Sequence, residues 1–425
     1  MHYLTQTPMK FISNLTNQKS LPVLLILYAL FSAGLAAHLM NLSFFLLLVV
    51  VIARLIVQPG AGASFHQVYQ SCKALHWSMA ALLLALIVTQ IAHGYFDLSP
   101  YNPIARLATF GLLLWLLQDL TLPQLRTMQW ALIGGTVLCA IQLYLSPRVQ
   151  NRPVIEAWYV ELASLLGLLS VLSLGWNERP GKLSVMLHAL GGLCGLYIAY
   201  LSQTRAIWIA LPLFFLTAYL TFVTTPLKRK NIVLFLTGLL LFGIVFFNTD
   251  VARQRIQQAK QDVEIFTVNK NTDTSVGVRF QLWEASWIMI QEHPFIGVGT
   301  GDHYKAALMD MVNRRVLPTY YNGAHSHNEI LFSTATMGIP GLIAILLTYL
   351  VPGYYFGKYL LDPDRQTRAA AAMGIGVCGG YLLFGLVDVL FKYKETEVLY
   401  CVSCALLFAF ILNRKKQLDQ TIAGS

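Results

Sequence analysis

Apolar positions in this chain come in long blocks, not singly. From residue 21 onward, runs of about twenty apolar residues recur, each closed by a cluster of Gly, Pro, Asn or charge. Twelve such runs predict helices near 21–37, 43–57, 75–93, 104–120, 127–145, 157–175, 184–203, 206–224, 232–247, 328–350, 369–388 and 396–412. The pattern breaks once, between Asn248 and Ala324. There "DVARQRIQQAKQDVEIFTVNKNTDTS" reads as a polar helix followed by a turn-rich stretch, too long for a mere connector. In "VGVRFQLWEASWIMIQEHP", Leu282, Trp283, Ser286, Trp287 and Ile290 recur at helical spacing, which suits a helix lying on a membrane surface and ended by Pro294. The predicted organisation is nine membrane helices in 1–247, a loop with amphipathic helices in 248–325, and three more helices with a polar tail in 326–425.

Composition changes the solvent but not this pattern. With 56% hydrophobic and 12% charged residues and a mean hydropathy of +0.58, the chain is far from the roughly 25% charge of a soluble domain and reads as an all-α polytopic membrane protein. Residues 1–20 are polar, and the first apolar run flows into the second without a small-residue cleavage site, so it reads as a retained helix. The net charge of +10 could suggest nucleic acid, but its distribution fits membrane lipids. With a cytoplasmic N-terminus, the short outer connections hold only Arg148, Arg152, Arg205, Lys392 and Lys394. Lys228, Arg229, Lys230, Arg414, Lys415 and Lys416 fall on the inner side. Both termini are then expected in the cytoplasm and the long loop outside. None of the six cysteines lies in that loop, which excludes a structural disulfide there, and Cys401 and Cys404 form a C-x-x-C without partner ligands in an apolar helix.

Charge beside a membrane span is costly and needs a reason. Arg205, in "LSQTRAIWIALP", reads either as an interfacial arginine snorkelling to headgroups or as a fixed cation facing a cavity. Arg279 either stacks on an indole such as Trp283 or joins Arg205 in a clamp for a lipid-linked pyrophosphate, since a guanidinium fork matches phosphate. Gly297, Gly299 and Gly301 alternate in "PFIGVGTGDH", where tight packing of a re-entrant turn outweighs direct phosphate binding, because no strand or Walker lysine accompanies them. "HSHNEI" brings His325, His327, Asn328 and Glu329 to the start of an apolar run. On a continuous helix the two histidines would diverge by about 200°, so a shared metal ion, even with His303, requires a non-helical turn. No metal and no cofactor are expected, and a single general-base histidine fits better.

Together, "VRFQLWEASWIMIQEHPFIGVGTGDH" and "HNEILFSTATMGIPGL" resemble the signature of the O-antigen ligase and polymerase superfamily. The resemblance runs from Arg205 to Gly341, and the flanking helices agree in number and topology. It implies a fold of about twelve transmembrane helices with one large periplasmic loop between helices 9 and 10, resembling a GT-C-type glycosyltransferase. It also implies transfer of a glycan from undecaprenyl pyrophosphate on the periplasmic face of a bacterial inner membrane. By that resemblance Arg205 and Arg279 bind the pyrophosphate, His327 is the motif histidine and catalytic base, His325 is an extra, and Asp388 in "FGLVDVL" stands where some relatives carry an acid. The expected reaction joins undecaprenyl-pyrophosphate-linked O-antigen, the donor, to lipid A-core, the acceptor. Polymerisation of repeat units or glycan transfer to a protein Ser/Thr is the alternative. A lipid-linked sugar transporter fits less well, because the chain shows no internal repeat and its polar cluster sits at one face.

Overall fold

The computed structural model describes residues 21–32, 37–149, 152–269, 274–314, 317 and 325–423. Among these the fold is helical apart from one two-residue antiparallel pair, Arg148–Val149 with Arg152–Pro153. The helices are α1 (Leu21–Ser32), α2 (Ala37–Val57), α3 (Ala61–His93), α4 (Tyr101–Ile104), α5 (Phe110–Leu117), α6 (Leu122–Arg126), α7 (Met128–Leu145), α8 (Ala157–Leu172), α9 (Lys182–Ser202) and α10 (Arg205–Phe222). They continue as α11 (Arg229–Phe247), α12 (Asp250–Asn269), α13 (Ser275–Glu292), α14 (Asp302–Asn313), α15 (Glu329–Gly357), α16 (Arg365–Gly385) and α17 (Lys394–Ala423).

Among the described residues ten helices are long and apolar enough to cross a membrane, by length and composition. The first and fourth predicted runs form apolar helices too short to be counted among these, at Val23–Ser32 and Tyr101–Leu117; the end of the first run, 33–36, lies outside the described residues, and the fourth keeps its predicted length but starts three residues earlier. The fourth is interrupted where Arg106, buried at 5% exposure, donates to the Asn102 side chain at 2.9 Å and to Asn41 Oδ1 at 3.5 Å. A guanidinium that must find oxygen partners inside the bundle bends the chain around itself.

α17 is the axis of the bundle and is buried continuously from Glu395 to Ile411. α16 packs beside it, and its buried run Ala369 to Ala372 is small on every face, so that Ala369 lies against Gly175 and backbones approach where lipid supplies no hydrophobic drive. α11 is the opposite case, with no buried residue. It meets α10 through the ring pairs Trp208–Phe246, Phe215–Phe242 and Tyr219–Phe235.

α13 ends at Glu292, immediately before the Pro294 turn, as expected. Its buried face differs from the predicted stripe. Leu282, Ala285, Ser286 and Met289 point inward, and Trp287 is 56% exposed. The small Ala285 and Ser286 let α13 settle against Tyr304, Leu308 and Met311 of α14, which a tryptophan on that face would prevent.

α15 is broken at Gly338, where φ is +63° and Pro340 follows. The turn after α13 docks into this break. Val298 and Gly299 donate their amides to Ala335 and Thr336 carbonyls at 2.9 and 3.0 Å, and the Ile339 amide donates to Pro294 O at 2.9 Å. A Cβ on Gly297 would lie 2.4 Å from the Thr336 backbone, and one on Gly338 would lie 2.5 Å from that of Phe295, so each glycine makes room for the other segment. The alternating glycines therefore serve packing, the reading favoured by the sequence.

Candidate active site

The site grows from the few residues that precede α15. Asn328 caps the helix, its Oδ1 accepting the Leu331 amide at 2.9 Å, while its Nδ2 donates to Leu386 O at 3.1 Å and ties the cap to the end of α16. Because the helix starts only at Glu329, His325 and His327 lie in a non-helical turn. His327 takes a positive φ of +52°, rare for a residue with a Cβ. Its amide donates to Nδ1 of His325 at 3.2 Å, and the two rings stand 4.3 Å apart at 65°.

Asp388 completes the group from the turn after α16. Its Oδ1 lies 3.7 Å from His327 Nδ1, an ion-pair distance, and accepts the Val389 amide at 2.8 Å. His327 Nδ1 is buried while the side chain as a whole is 34% exposed, so the ring presents the edge bearing Nε2. Burial, and then the neighbouring His327, push His325 well below its ordinary 6.5, to about 3, so it is neutral at physiological pH. Burial alone would raise Asp388, but the His327 imidazole, His325 and the Val389 amide hold it below the ordinary carboxylate value. An ionised aspartate beside a histidine favours the tautomer that leaves Nε2 as a base.

The same turn removes the angular objection to a shared ion. Ligand atoms of His325, His327 and Asp388 all lie within 4.8 Å of one another, although the His327 amide already occupies Nδ1 of His325. His303 is not part of this group; it stacks on Tyr95 with ring centroids 3.9 Å apart. Cys401 and Cys404 are buried along α17, and no other metal-ligating cluster occurs among the described residues.

Arg279, half-buried on α13, interacts electrostatically with His325 and with Glu161 of α8. Glu161, 1% exposed and close enough to Asp388 to feel its charge, was missed by sequence reasoning. A lone acid in the apolar run "WYVELAS" is the signal that could have found it. Glu329 is turned away from the histidines, its Oε2 accepting the Phe391 amide at 2.9 Å. Arg205 opens α10 after Gln203, which has a φ of +53°. Among the described residues no hydrogen bond or ion pair joins Arg205 to the histidine group; instead Arg255 of α12 reaches the same turn and donates to Gln203 O at 3.4 Å. The structure thus brings together His325, His327, Asn328, Asp388 and Arg279, holds the glycine turn beneath them on α15, and sets Arg205 at a separate turn of the same end.

The histidine–aspartate pair sits at one end of a helical bundle with candidate membrane spans, and sequence comparison says what this chain resembles. Residues 190–346 match the family model described as O-antigen ligase. An O-antigen ligase of Escherichia coli (strain K12) is 23% identical over 260 residues, 60% of this chain and 58% of that protein. An uncharacterized protein of Haemophilus influenzae is 24% identical over 232 residues, 53% of this chain and 58% of that one. The matched region thus spans less than two thirds of either relative. By these findings the matched segment is similar to the O-antigen ligase family. Among solved structures, a chain from "Structural coordination of polymerization and crosslinking by a peptidoglycan synthase complex" aligns with a TM-score of 0.46 and 16% identity, covering 80% of this chain and 96% of that one.

Proposed function

We propose that the protein transfers O-antigen polysaccharide from undecaprenyl pyrophosphate to the outer-core sugar of lipid A-core, forming lipopolysaccharide. The observation that carries this reading is His327, held by Asp388 and by His325 at the end of the bundle, within the electrostatic reach of Arg279. His327 Nε2 takes the proton of the acceptor hydroxyl as its oxygen attacks the anomeric carbon. The bond from that carbon to the pyrophosphate oxygen breaks, undecaprenyl pyrophosphate leaves, and the anomeric centre is inverted. Arg279 and Arg205 neutralise the leaving group, so no acid is required at that oxygen. A pyrophosphate at headgroup level explains why these groups sit at helix ends, where the lipid tail stays among lipid. In this reading the site faces the periplasm from the inner membrane and both termini are cytoplasmic. A cysteine replacing Lys260 on α12 is then labelled by an impermeant maleimide in cells with a permeabilised outer membrane.

Lipopolysaccharide from a deletion strain tests the reaction. Loss of every long-chain band with lipid-linked polymer intact supports the ligase, whereas a single-repeat band indicates the polymerase. The convergence of His325, His327 and Asp388 within 4.8 Å favours one second reading, a divalent ion at the same turn. Transfer that continues in EDTA supports side-chain catalysis; transfer abolished by chelation and restored by a divalent ion supports the second reading.

A further inference from the structure

A cavity of about 300 Å³ opens beside the histidine turn. It touches the site through Glu329, two residues after His327, and Val389, one residue after Asp388. Its remaining walls come from α3, α4, α14, α15 and the adjoining loops, and none from α8, α10 or α13, the helices that carry Glu161, Arg205 and Arg279. A glycosyl transfer needs two seats with the base between them. The arginine helices supply one, and this cavity, built on other elements, is available as the other. Its size is at the small end of the range for ligand sites, the scale of a sugar and not of a polymer.

Its lining is mixed in the way a sugar requires. Pro103, Phe332 and Phe391 offer apolar surface, and Ser99 and Thr300 offer hydroxyls. Two lysines face it from opposite elements, Lys305 of α14 and Lys392 of the turn before α17. Lys305 pairs with Asp302 at 3.0 Å. Lys392 is half-buried and makes no ion pair among the described residues; burial, followed by repulsion from Lys305, holds its amine below the ordinary value against the attraction of Asp388. A partly desolvated cation that faces a cavity beside a second cation, and whose attracting carboxylate Asp388 already faces His327, is stabilised by an incoming anion. Of the two carboxylates on the wall, Asp302 is the one paired with Lys305, and Glu329 is already engaged by the Phe391 amide.

We propose that this cavity seats the acceptor glycan by a negatively charged substituent, phosphate or carboxylate, held between Lys392 and Lys305, with the attacking hydroxyl directed toward His327. The proposal rests on the glycosyl-transfer reading above. Losing a charge-assisted hydrogen bond of this kind costs about ten- to a hundredfold in affinity. In purified protein, Lys392→Gln therefore raises the acceptor KM for lipid A-core by about tenfold or more while the donor KM holds, and Lys392→Arg keeps most of the affinity. With dephosphorylated lipid A-core, wild type falling to the level of the Gln variant identifies a phosphate. With carboxyl-amidated lipid A-core, the same fall identifies a carboxylate. An unchanged acceptor KM in Lys392→Gln, or a rise in the donor KM instead, overturns the proposal. A binding arm separates it from the reaction: lipid A-core binds His327→Ala, and adding Lys392→Gln weakens that binding. If wild type transfers nothing yet this binding difference persists, the functional reading falls and the anionic seat stands; if the difference is absent, the seat falls.

Discussion

Two turns at the same end of the bundle share a backbone conformation, with Gln203 at φ +53° and His327 at φ +52°, and differ in what holds them there. His327 is tied by the His325 ring, faces Asp388, and is followed by an asparagine that caps α15 and grips the end of α16. The Gln203 turn carries a long bond from Arg255 to its carbonyl, one from the Trp208 indole to Ala199 O at 3.1 Å, and local bonds from the Thr204 amide to Ser202 Oγ at 3.3 Å and from that hydroxyl to Ala199 O at 3.4 Å. A left-handed residue with a Cβ costs about 1–2 kcal/mol, and such conformations persist where the surroundings over-determine them. The histidine turn is over-determined, as a group aimed at a reacting atom must be. The arginine turn is held by longer bonds and, among the described residues, by no ion pair, which in the proposed reading suits a clamp that admits and releases a charged headgroup.

The largest effect separates the two histidines. His327→Ala is expected to lower the transfer rate by about 10²–10⁴, and His325→Ala far less, because only His327 presents a free ring edge. A dead His325 variant beside an active His327 variant would sink this assignment. Next comes the clamp. Arg279→Ala removes a charge-assisted contact worth about 1.5–3 kcal/mol, so transfer kinetics should show a loss of ten- to a hundredfold or more, with Arg279→Lys rescuing only partly because ammonium lacks the fork. Full activity in either variant returns Arg279 to an interfacial role.

A smaller effect concerns pH. The unfolded chain protonates His325 near 6.5, whereas the folded site keeps it neutral far below that, so between 6.5 and about 3 the unfolded state binds more protons. Stability is therefore fully present above 6.5 and falls as the pH drops, by at most about 1.4 kcal/mol per unit. Melting temperatures measured from pH 7.5 to 5 should decline in wild type and flatten in His325→Asn; equal slopes would remove His325 as the cause. The smallest effect returns to the comparison itself. Gln203→Gly relieves the positive φ and should add less than about 1 kcal/mol of stability, read as a small rise in melting temperature, with transfer little changed, whereas His327→Gly gains no activity from the same relief. A Gln203→Gly protein as inactive as the His327 variant would mean that both turns are rigid parts of the chemistry.

Much of this was legible in the chain. Every predicted apolar run is helical among the described residues, because a bilayer leaves the backbone few alternatives. The run near 104 was placed three residues late and its interruption was not foreseen, since hydropathy does not register that Arg106 must find partners inside the bundle. "HSHNEI" announced its histidines, but their approach to 4.3 Å depends on one positive φ that no spacing rule foresees. Asp388 came by resemblance alone. Glu161 was hidden by its burial within an apolar helix, and Arg255 by a polar helix whose charges all look solvated. The face of α13 was misjudged because tryptophans were weighed by hydrophobicity, while the close approach to α14 demanded small side chains.

α11 gives the clamp an unusual suspension. Its neighbours take their tilt from interlocking side chains, whereas this helix buries none and leans on α10 through three ring pairs. A span so lightly held answers to the thickness of the hydrocarbon around it, tilting in a thin bilayer and straightening in a thick one at a cost of fractions of a kcal/mol per Å. α12 hangs directly from its end and carries Arg255 to the Gln203 turn. In the proposed reading the grip on that turn then answers to the lipid composition of the membrane, which makes the surrounding bilayer a tuning element.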